Sequence, residues 1–547
     1  MCTKQSANKV SQRRANKPSR IFYGMAFNIC KHAYLIIRTY IDWFIDIIFG
    51  LYWDGAKKAL PPLESRHKIL ALSAVELAEK IRKRDITSQE LVQACIERIK
   101  AVNPIINAVT DERFDAALEE AKQIDKKIED GLPNDYFKDK PFLGVPFTAK
   151  ESHGVSGMLY TLGLTSRRYV RASEDAECVR LMKEAGAIAL AVTNVPEINK
   201  WQESRNPVFG QTNNPYHTGC TTGGSSGGEA AIAAALASPI TLCSDIGGST
   251  RMPAFYCGLF GYNPTANHTS MKGSTLRTGK EDETTMASIS FASRHCADLA
   301  PLTKIIASDK AAKLDLDRPV DLKKVKFYYV ETAEDLRVSP ICKDLRNAMS
   351  KVVSHFTTEA ESTELAPQKY YHKGFNYMFS LWRHCMTLEN ENFAALLTNN
   401  QGEANGIVEL FRKLIFQSEY SGAAILKMLD DQVIPKVDAD WAETLIKELK
   451  DDLLSKLGSD GVLLFPSAPA PAPYHYSAYL RPFNFAYWCI FNVLRLPVAQ
   501  VPLGLNSAGL PLGIQVVAGP RQDALCLAVA RNLEETFGGF VPPCPTS

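Results

Sequence analysis

The sequence predicts an α/β protein: one large domain built on a mixed β-sheet, preceded by an N-terminal amphipathic helix. Three observations lead there. From Phe142 onward, short apolar runs of strand character alternate with helical patterns, the texture of α/β layers. Hydrophobic residues make up 46% and charged residues 22% of the 547, a globular balance that excludes a disordered, collagen-like or many-pass membrane protein. No internal repeat occurs, and no strong linker follows Arg66. Thus, although about 150 residues per domain would allow three or four domains, a single domain over residues 68–541 fits better.

The first twenty residues form a basic tail. Lys4, Lys9, Arg13, Arg14, Lys17 and Arg20 stand there without an acid, and subtracting those six from the net +2 leaves −4 on the other 527 residues. A slightly acidic body argues against nucleic-acid binding. The following segment, residues 21–55, is rich in Ile, Phe, Tyr, Leu and Trp but contains Lys31, His32, Arg38, Asp42 and Asp46, too many charges for an ordinary membrane-crossing helix of about 20 residues. At about 100° per residue, Lys31, Arg38, Asp42 and Asp46 share one narrow arc, joined by Asn28, His32 and Thr39. Ile29, Ile36, Ile37, Trp43, Phe44, Ile47 and Ile48 populate the remainder. The pattern predicts a helix lying in a membrane interface; a single crossing and packing onto the protein's own core are the alternatives. The basic lead-in and the six aromatics within Tyr40–Trp53 favour lipid. No cleavage site of signal-peptide type follows. The expected location is a membrane surface, endomembrane or lipid droplet, with the large domain in the cytosol.

Ala56–Arg66 reads as a short linker. Ser73-Ala-Val-Glu76 and Thr87-Ser-Gln-Glu90 are capping boxes opening two helices. Phe142–Ala149 and Ala187–Val192 read as buried strands, with a helix over Ala176–Glu184 between them. Lys324–Val330 is a further strand, and Ser339-Pro340 is expected to open a helix with Leu345, Met349, Val352, Val353 and Phe356 inward. Tyr370–Leu454 reads as mostly helical, Phe465–Pro473 as loop, and Leu496–Leu505 and Leu512–Ala518 as buried strands. The 13 cysteines contain no CxxC pair, which favours reduced, buried thiols over a disulfide framework or a zinc site.

Chemistry concentrates between Gly219 and Gly261, where nine glycines stand in 43 residues against 33 in 547 overall. The run reads Thr-Thr-Gly223-Gly224-Ser225-Ser226-Gly227-Gly228-Glu229, an Ala-rich helix to Ser238, then Ile240-Thr-Leu-Cys-Ser244-Asp245-Ile246-Gly247-Gly248-Ser249-Thr-Arg251-Met-Pro253. Two serines thus sit in glycine turns separated by a helix and a short strand. Flexible loops would explain the first cluster alone. Phosphate binding lacks both GxxxxGK[ST] and GxGxxG. Gly223-Gly-Ser225-Ser-Gly227 formally matches the GxSxG nucleophile elbow, which would need a downstream acid and histidine, with His475 the candidate.

Together these segments resemble the amidase signature family. Ser225 precedes Ser249 by 24 residues, and Lys150 precedes Ser225 by 75, as in that family's Lys–Ser–Ser triad. Further matching blocks are Trp201-x-Glu203-Ser-x-Asn206, Asn213-Asn-Pro-Tyr216, Arg481-Pro-Phe-Asn-Phe-Ala-Tyr487 and Leu510–Pro520. With the N-terminal segment they look most like the fatty acid amide hydrolases, particularly those of the second type. Thr250 and Asn263 depart from the usual Ile or Val and Lys, outside the triad. The resemblance implies a large twisted mixed sheet covered by helices on both faces. It also implies a serine hydrolase without metal or organic cofactor. Lys150 would deprotonate Ser225, which relays the proton from the nucleophile Ser249. Backbone N–H groups of Ile246, Gly247, Gly248 and Ser249 would form an oxyanion hole, and Ser244, Asp245 and Arg251 would support the site. Asp245 and Arg251 are expected to pair structurally, Ser226 to shape its turn, and His153 is the best rival base.

The implied substrate is a lipid-like amide. Phe375–Trp382 and Phe411–Leu429 offer apolar residues for an acyl channel. A homodimer is compatible with the family. Aryl or other small amides as substrates, an elbow-type hydrolase, and a catalytically silent scaffold are the alternatives.

Overall fold

The computed structural model describes residues 17–276, 284–389 and 391–546, with side chains of the first helix described from Ile29 on. The basic tail therefore lies outside the described residues apart from the backbone of residues 17–20.

Helix α1 (Lys17–Trp53) bears out the helical periodicity, and its apolar side is left exposed rather than packed on the protein's own core. Ile29, Ile36, Ile37, Trp43, Phe44 and Leu51 are between 58% and 84% exposed. The polar stripe instead faces the protein: Lys31 pairs with Glu334 at 2.7 Å, Tyr34 donates to the Leu336 carbonyl, and Asp42 and Asp46 meet Arg481. No helix among the described residues is long and apolar enough to cross a membrane.

Both capping boxes form as expected. Ser73 and Thr87 open α2 (Ala74–Arg82) and α3 (Ser88–Ile106), each exchanging hydrogen bonds with the glutamate three residues on. Next come β1 (Val109–Glu112), α4 (Phe114–Glu129), α5 (Asn134–Asp139), β2 (Pro146–Lys150), α6 (Glu177–Glu184), β3 (Ile188–Thr193) and a small hairpin of β4 (Arg205–Asn206) and β5 (Gly210–Gln211). The segment singled out for its chemistry supplies α7 (Gly227–Ala234), β6 (Ile240–Asp245) and α8 (Arg251–Tyr256). The remaining strands are β7 (Phe260–Asn263), β8 (Ser288–Ser293), β9 (Lys326–Tyr329), β10 (Gln368–Lys369), β11 (Gly461–Pro466), β12 (Val498–Leu505) and β13 (Pro511–Ala518).

Eleven strands form one mixed sheet in the order β1-β3-β2-β6-β8-β7-β12-β13-β11-β9-β10. The β3–β2–β6 and β11–β9–β10 neighbours are parallel and the others antiparallel. Both faces are covered. Alternate residues of β11 divide between two separate cores, with Val462 and Leu464 in one and Leu463 and Phe465 in the other, as the two-residue period of a strand requires. Strands buried on both faces read as continuous apolar runs, which is why β3 and β11 show no alternation in sequence.

Element boundaries shift from the sequence reading. Phe142–Val145 forms turns before β2. The helix expected from Ser339 begins at Lys343, after Cys342, and runs to Glu359, with Leu345, Met349, Val352 and Phe356 buried. The Ala-rich helix ends at Ala234, four residues short of Ser238. The 12 cysteines among the described residues are free, nine of them buried.

Candidate active site

Parallel pairing of β2 with β3 and β6 sets the site. Lys150 closes β2, Ser244 and Asp245 close β6, and the loop before α7 carries Ser225. The three strand ends and the loop converge at the carboxyl edge of this parallel part of the sheet, the usual place for a ligand crevice in open α/β sheets.

Lys150 is fully buried, and its Nζ donates to Ser225 Oγ at 2.7 Å and to Ser244 Oγ at 3.2 Å. Burial pushes its pKa down to about 7, against the upward pull of Cys243, Asp245 and Glu229. Glu229 stands beneath it, buried, accepting from Thr148 at 2.8 Å and Thr193 at 2.6 Å, with its own pKa pushed up to about 8 by burial. Sequence reading gave this carboxyl no role. Its signal was an acid in an otherwise acid-free, fully apolar helix.

The Ser225 loop is fixed by close approaches. The Gly224–Ser225 peptide is cis. A Cβ on Gly224 would lie 2.2 Å from the Trp201 carbonyl oxygen, so no other residue fits there. Ser204 donates to the Gly223 carbonyl at 3.1 Å and accepts from Gly227 N–H at 2.9 Å, and Ser226 N–H donates to the Ser249 carbonyl at 3.1 Å, tying the two serine loops together. The Trp201–Asn206 block is thus a scaffold for the serine loop.

Ser249 is the half-buried member of the group. Asp245 shapes its loop by accepting from Gly248 N–H at 2.7 Å and Thr250 N–H at 3.1 Å. The expected ion pair with Arg251 is present at 3.0 Å, with both side chains fully buried, and Arg251 continues to the Trp488 carbonyl, Gln515 and Asn492. Gly248 adopts φ +102°, and a Cβ there would meet Trp488 Cβ at 2.3 Å. The N–H groups of Ile246, Gly247 and Ser249 have no protein partner among the described residues, whereas Gly248 spends its N–H on Asp245.

The histidines stand apart from this chemistry. His153 is buried, hydrogen-bonded to Ser274 at 2.8 Å, and held neutral with its pKa pushed down to about 3 by burial and by Lys150. His475 meets the Thr218 carbonyl at 3.2 Å and the Trp53 ring at 5.1 Å rather than Ser225, which removes the partner that a nucleophile elbow requires.

Two cavities meet at Ser249. One, of about 20 Å³, has a mixed lining: Ser225, Ser244, Ser249 and the Lys200–Glu391 pair, 2.8 Å apart, together with the apolar Ile198, Met271 and Ala287; it has room for about one water molecule. The other, of about 320 Å³, is lined chiefly by Trp201, Phe379, Trp382, Leu426, Phe483 and Phe485. Of the segments expected to form a channel, Phe379, Trp382 and Leu426 do so, but Phe375 is core, and Phe411 and Phe416 point outward at 64% and 96% exposure.

The sequence profile of the amidase family matches residues 90–527. Fatty-acid amide hydrolase 2-B of Danio rerio is 41% identical over 512 residues, covering 91% of this chain and 95% of its own. Fatty-acid amide hydrolase 2 of Homo sapiens is 40% identical over 487 residues, covering 87% and 91%. A solved structure of a fatty acid amide hydrolase superposes with a TM-score of 0.67 at 20% identity, covering 88% of this chain and 87% of that one, a likeness of fold.

Proposed function

The chain belongs to the amidase family, and from that premise we propose that it hydrolyses fatty acid amides, primary amides and N-acylethanolamines, through an acyl-enzyme on Ser249. The observation that carries this reading is the junction at Ser249. On one side lies the buried Lys150–Ser225 contact, and on the other a mainly apolar cavity of about 320 Å³, within the size range of small-molecule sites, about 300–1,000 Å³.

A serine hydroxyl needs a base within hydrogen-bond reach, and a lysine is a base only when neutral. With its pKa near 7, Lys150 is half neutral at physiological pH and takes the Ser225 proton as Ser225 takes that of Ser249. Ser249 Oγ then bonds to the amide carbon, and the carbonyl electrons move onto oxygen. The N–H groups of Ile246, Gly247 and Ser249 receive that oxyanion, each donor contributing about 3 kcal/mol. On collapse the C–N bond breaks and the proton returns through Ser225 to the leaving amine. A water beside Ser249, in the smaller cavity, gives a proton to the same relay and splits the ester, releasing the fatty acid and restoring Ser249.

We further propose that the outward apolar face of α1 lies against a lipid surface, supported by the exposed Ile, Phe and Trp residues and the basic sequence before them. Flotation with anionic vesicles tests this; recovery of the full chain wholly with the soluble fraction would overturn it. For the chemistry, hydrolysis of oleamide and a long-chain N-acylethanolamine is measured beside a short aryl amide, with a fluorophosphonate adduct mapped by mass. Labelling at Ser249 with turnover of the long-chain amides is expected. Turnover of the aryl amide alone would restrict the activity to small amides, and labelling at Ser225 would overturn the relay.

A further inference from the structure

The inward polar stripe of α1 touches two segments, and each leads within a few residues to the apolar cavity. The first is residues 334–337. Lys31 pairs with Glu334 at 2.7 Å and Tyr34 donates to the Leu336 carbonyl at 2.8 Å. The next residue, Arg337, places its guanidinium 5.6 Å from the Phe379 ring and 5.9 Å from that of Phe483, both cavity-lining. The second is residues 474–485. At the end of α1 Trp53 stacks on Tyr476 at 6.2 Å, and Asp54, just beyond the helix, accepts from Tyr474 at 2.8 Å. Asp42 and Asp46 meet Arg481, which is 4% exposed and draws both of its acidic partners from α1. Tyr479, Pro482, Phe483 and Phe485 of the same segment line the cavity.

A charge buried against a single element depends on that element; removing its partners leaves it desolvated and forces the backbone carrying it to move. Arg481 stands directly before Pro482 and Phe483, so its movement is movement of the cavity wall.

We propose that α1 is the outer buttress of the acyl-chain cavity, and that Arg481 is the positioning residue through which α1 holds the Tyr479–Phe485 wall in place. This rests on the reading of that cavity as the acyl-chain site. It gives α1 a role in substrate selection distinct from membrane contact. The triad, which is anchored on β2, β6 and the Ser225 loop, is independent of α1. Loss of the buttress therefore selects against long acyl chains and leaves the bond-breaking machinery intact.

The test uses the full chain carrying Asp42→Asn and Asp46→Asn together, substitutions outside the catalytic and cavity-lining residues. Labelling rates at Ser249 are compared for a long-alkyl and a short-alkyl fluorophosphonate, beside KM and kcat for oleamide and a short aryl amide. Expected is a fall of about tenfold in the long-to-short labelling ratio and a rise of about tenfold in KM for oleamide. Short-probe labelling and aryl-amide kcat/KM should stay within about twofold. A charge swap, Asp46→Arg with Arg481→Asp, is expected to recover most of the ratio. An unchanged ratio, or equal losses for long and short probes, would overturn the buttress. A shifted probe ratio in a protein that hydrolyses no long-chain amide would uphold the buttress and reject the fatty-amide reading. Failure of wild-type Ser249 to react with either probe would reject both.

Discussion

Replacing Lys150 by methionine separates what the lysine does for catalysis from what it costs the fold. An amine with an ordinary pKa of 10.5 is held at about 7. At about 1.4 kcal/mol for each tenfold in proton affinity, this corresponds to about 5 kcal/mol of unfavourable burial of the charged form. Below pH 7 both folded and unfolded states are protonated and the whole cost is present. Between pH 7 and 10.5 the folded state releases its proton first, the unfolded state binds more protons, and stability rises with pH. Methionine fills similar volume without charge. Losing the contacts to Ser225 and Ser244 subtracts about 1 kcal/mol each. At pH 7 that leaves the variant about 3 kcal/mol more stable and without the base. Activity follows the same titration: kcat/KM for a soluble amide should rise about tenfold from pH 6 to pH 8 and level off above, as the neutral fraction goes from about one tenth to about nine tenths. Chemical denaturation across pH 6–9 and initial rates in matched buffers measure both. An activity that climbed log-linearly past pH 9, or a Lys150→Met protein less stable than wild type at pH 7, would refute the assignment of a buried, half-neutral lysine.

Three further outcomes follow from named contacts. Arg251→Met leaves the Asp245 carboxylate buried without its partner, so the fold should lose about 3–5 kcal/mol in denaturant titrations. Gly248→Ala adds a Cβ that meets Trp488 at 2.3 Å where φ is +102°; displacement of the Ser249 loop should reduce kcat by about 100-fold or more and the strain should lower Tm, as read by rates and thermal melts. His153→Asn keeps a hydrogen-bonding group towards Ser274 and should leave the pH profile of kcat/KM unshifted; loss of the ascending limb would make His153 the base instead.

Some of the molecule was legible locally. The two capping boxes and the buried strands are written in short-range pattern, because caps and apolar runs act over a few residues. Boundaries were less so: Phe142–Val145 is apolar enough for a strand but turns, since the backbone there enters the sheet only at Pro146. Glu229 stayed silent because an acid in a glycine- and alanine-rich helix has no meaning until Thr148 and Thr193 are brought beside it from two strands.

The sequence by itself determined the glycine-framed serines, the lysine 75 residues before the first of them, and the family to which that spacing belongs. It also determined that α1 has a polar and an apolar side, because a helix has a fixed period. Tertiary structure alone decided which side faces in. Periodicity sorts side chains by face but carries no information on their partners, and those partners, Glu334 and Arg481, lie more than 300 residues away. The same is true of the pKa of Lys150. Its value depends on burial by several strands and on Asp245, Glu229 and Cys243 around it, and desolvation is a property of the assembled interior rather than of any segment of the chain.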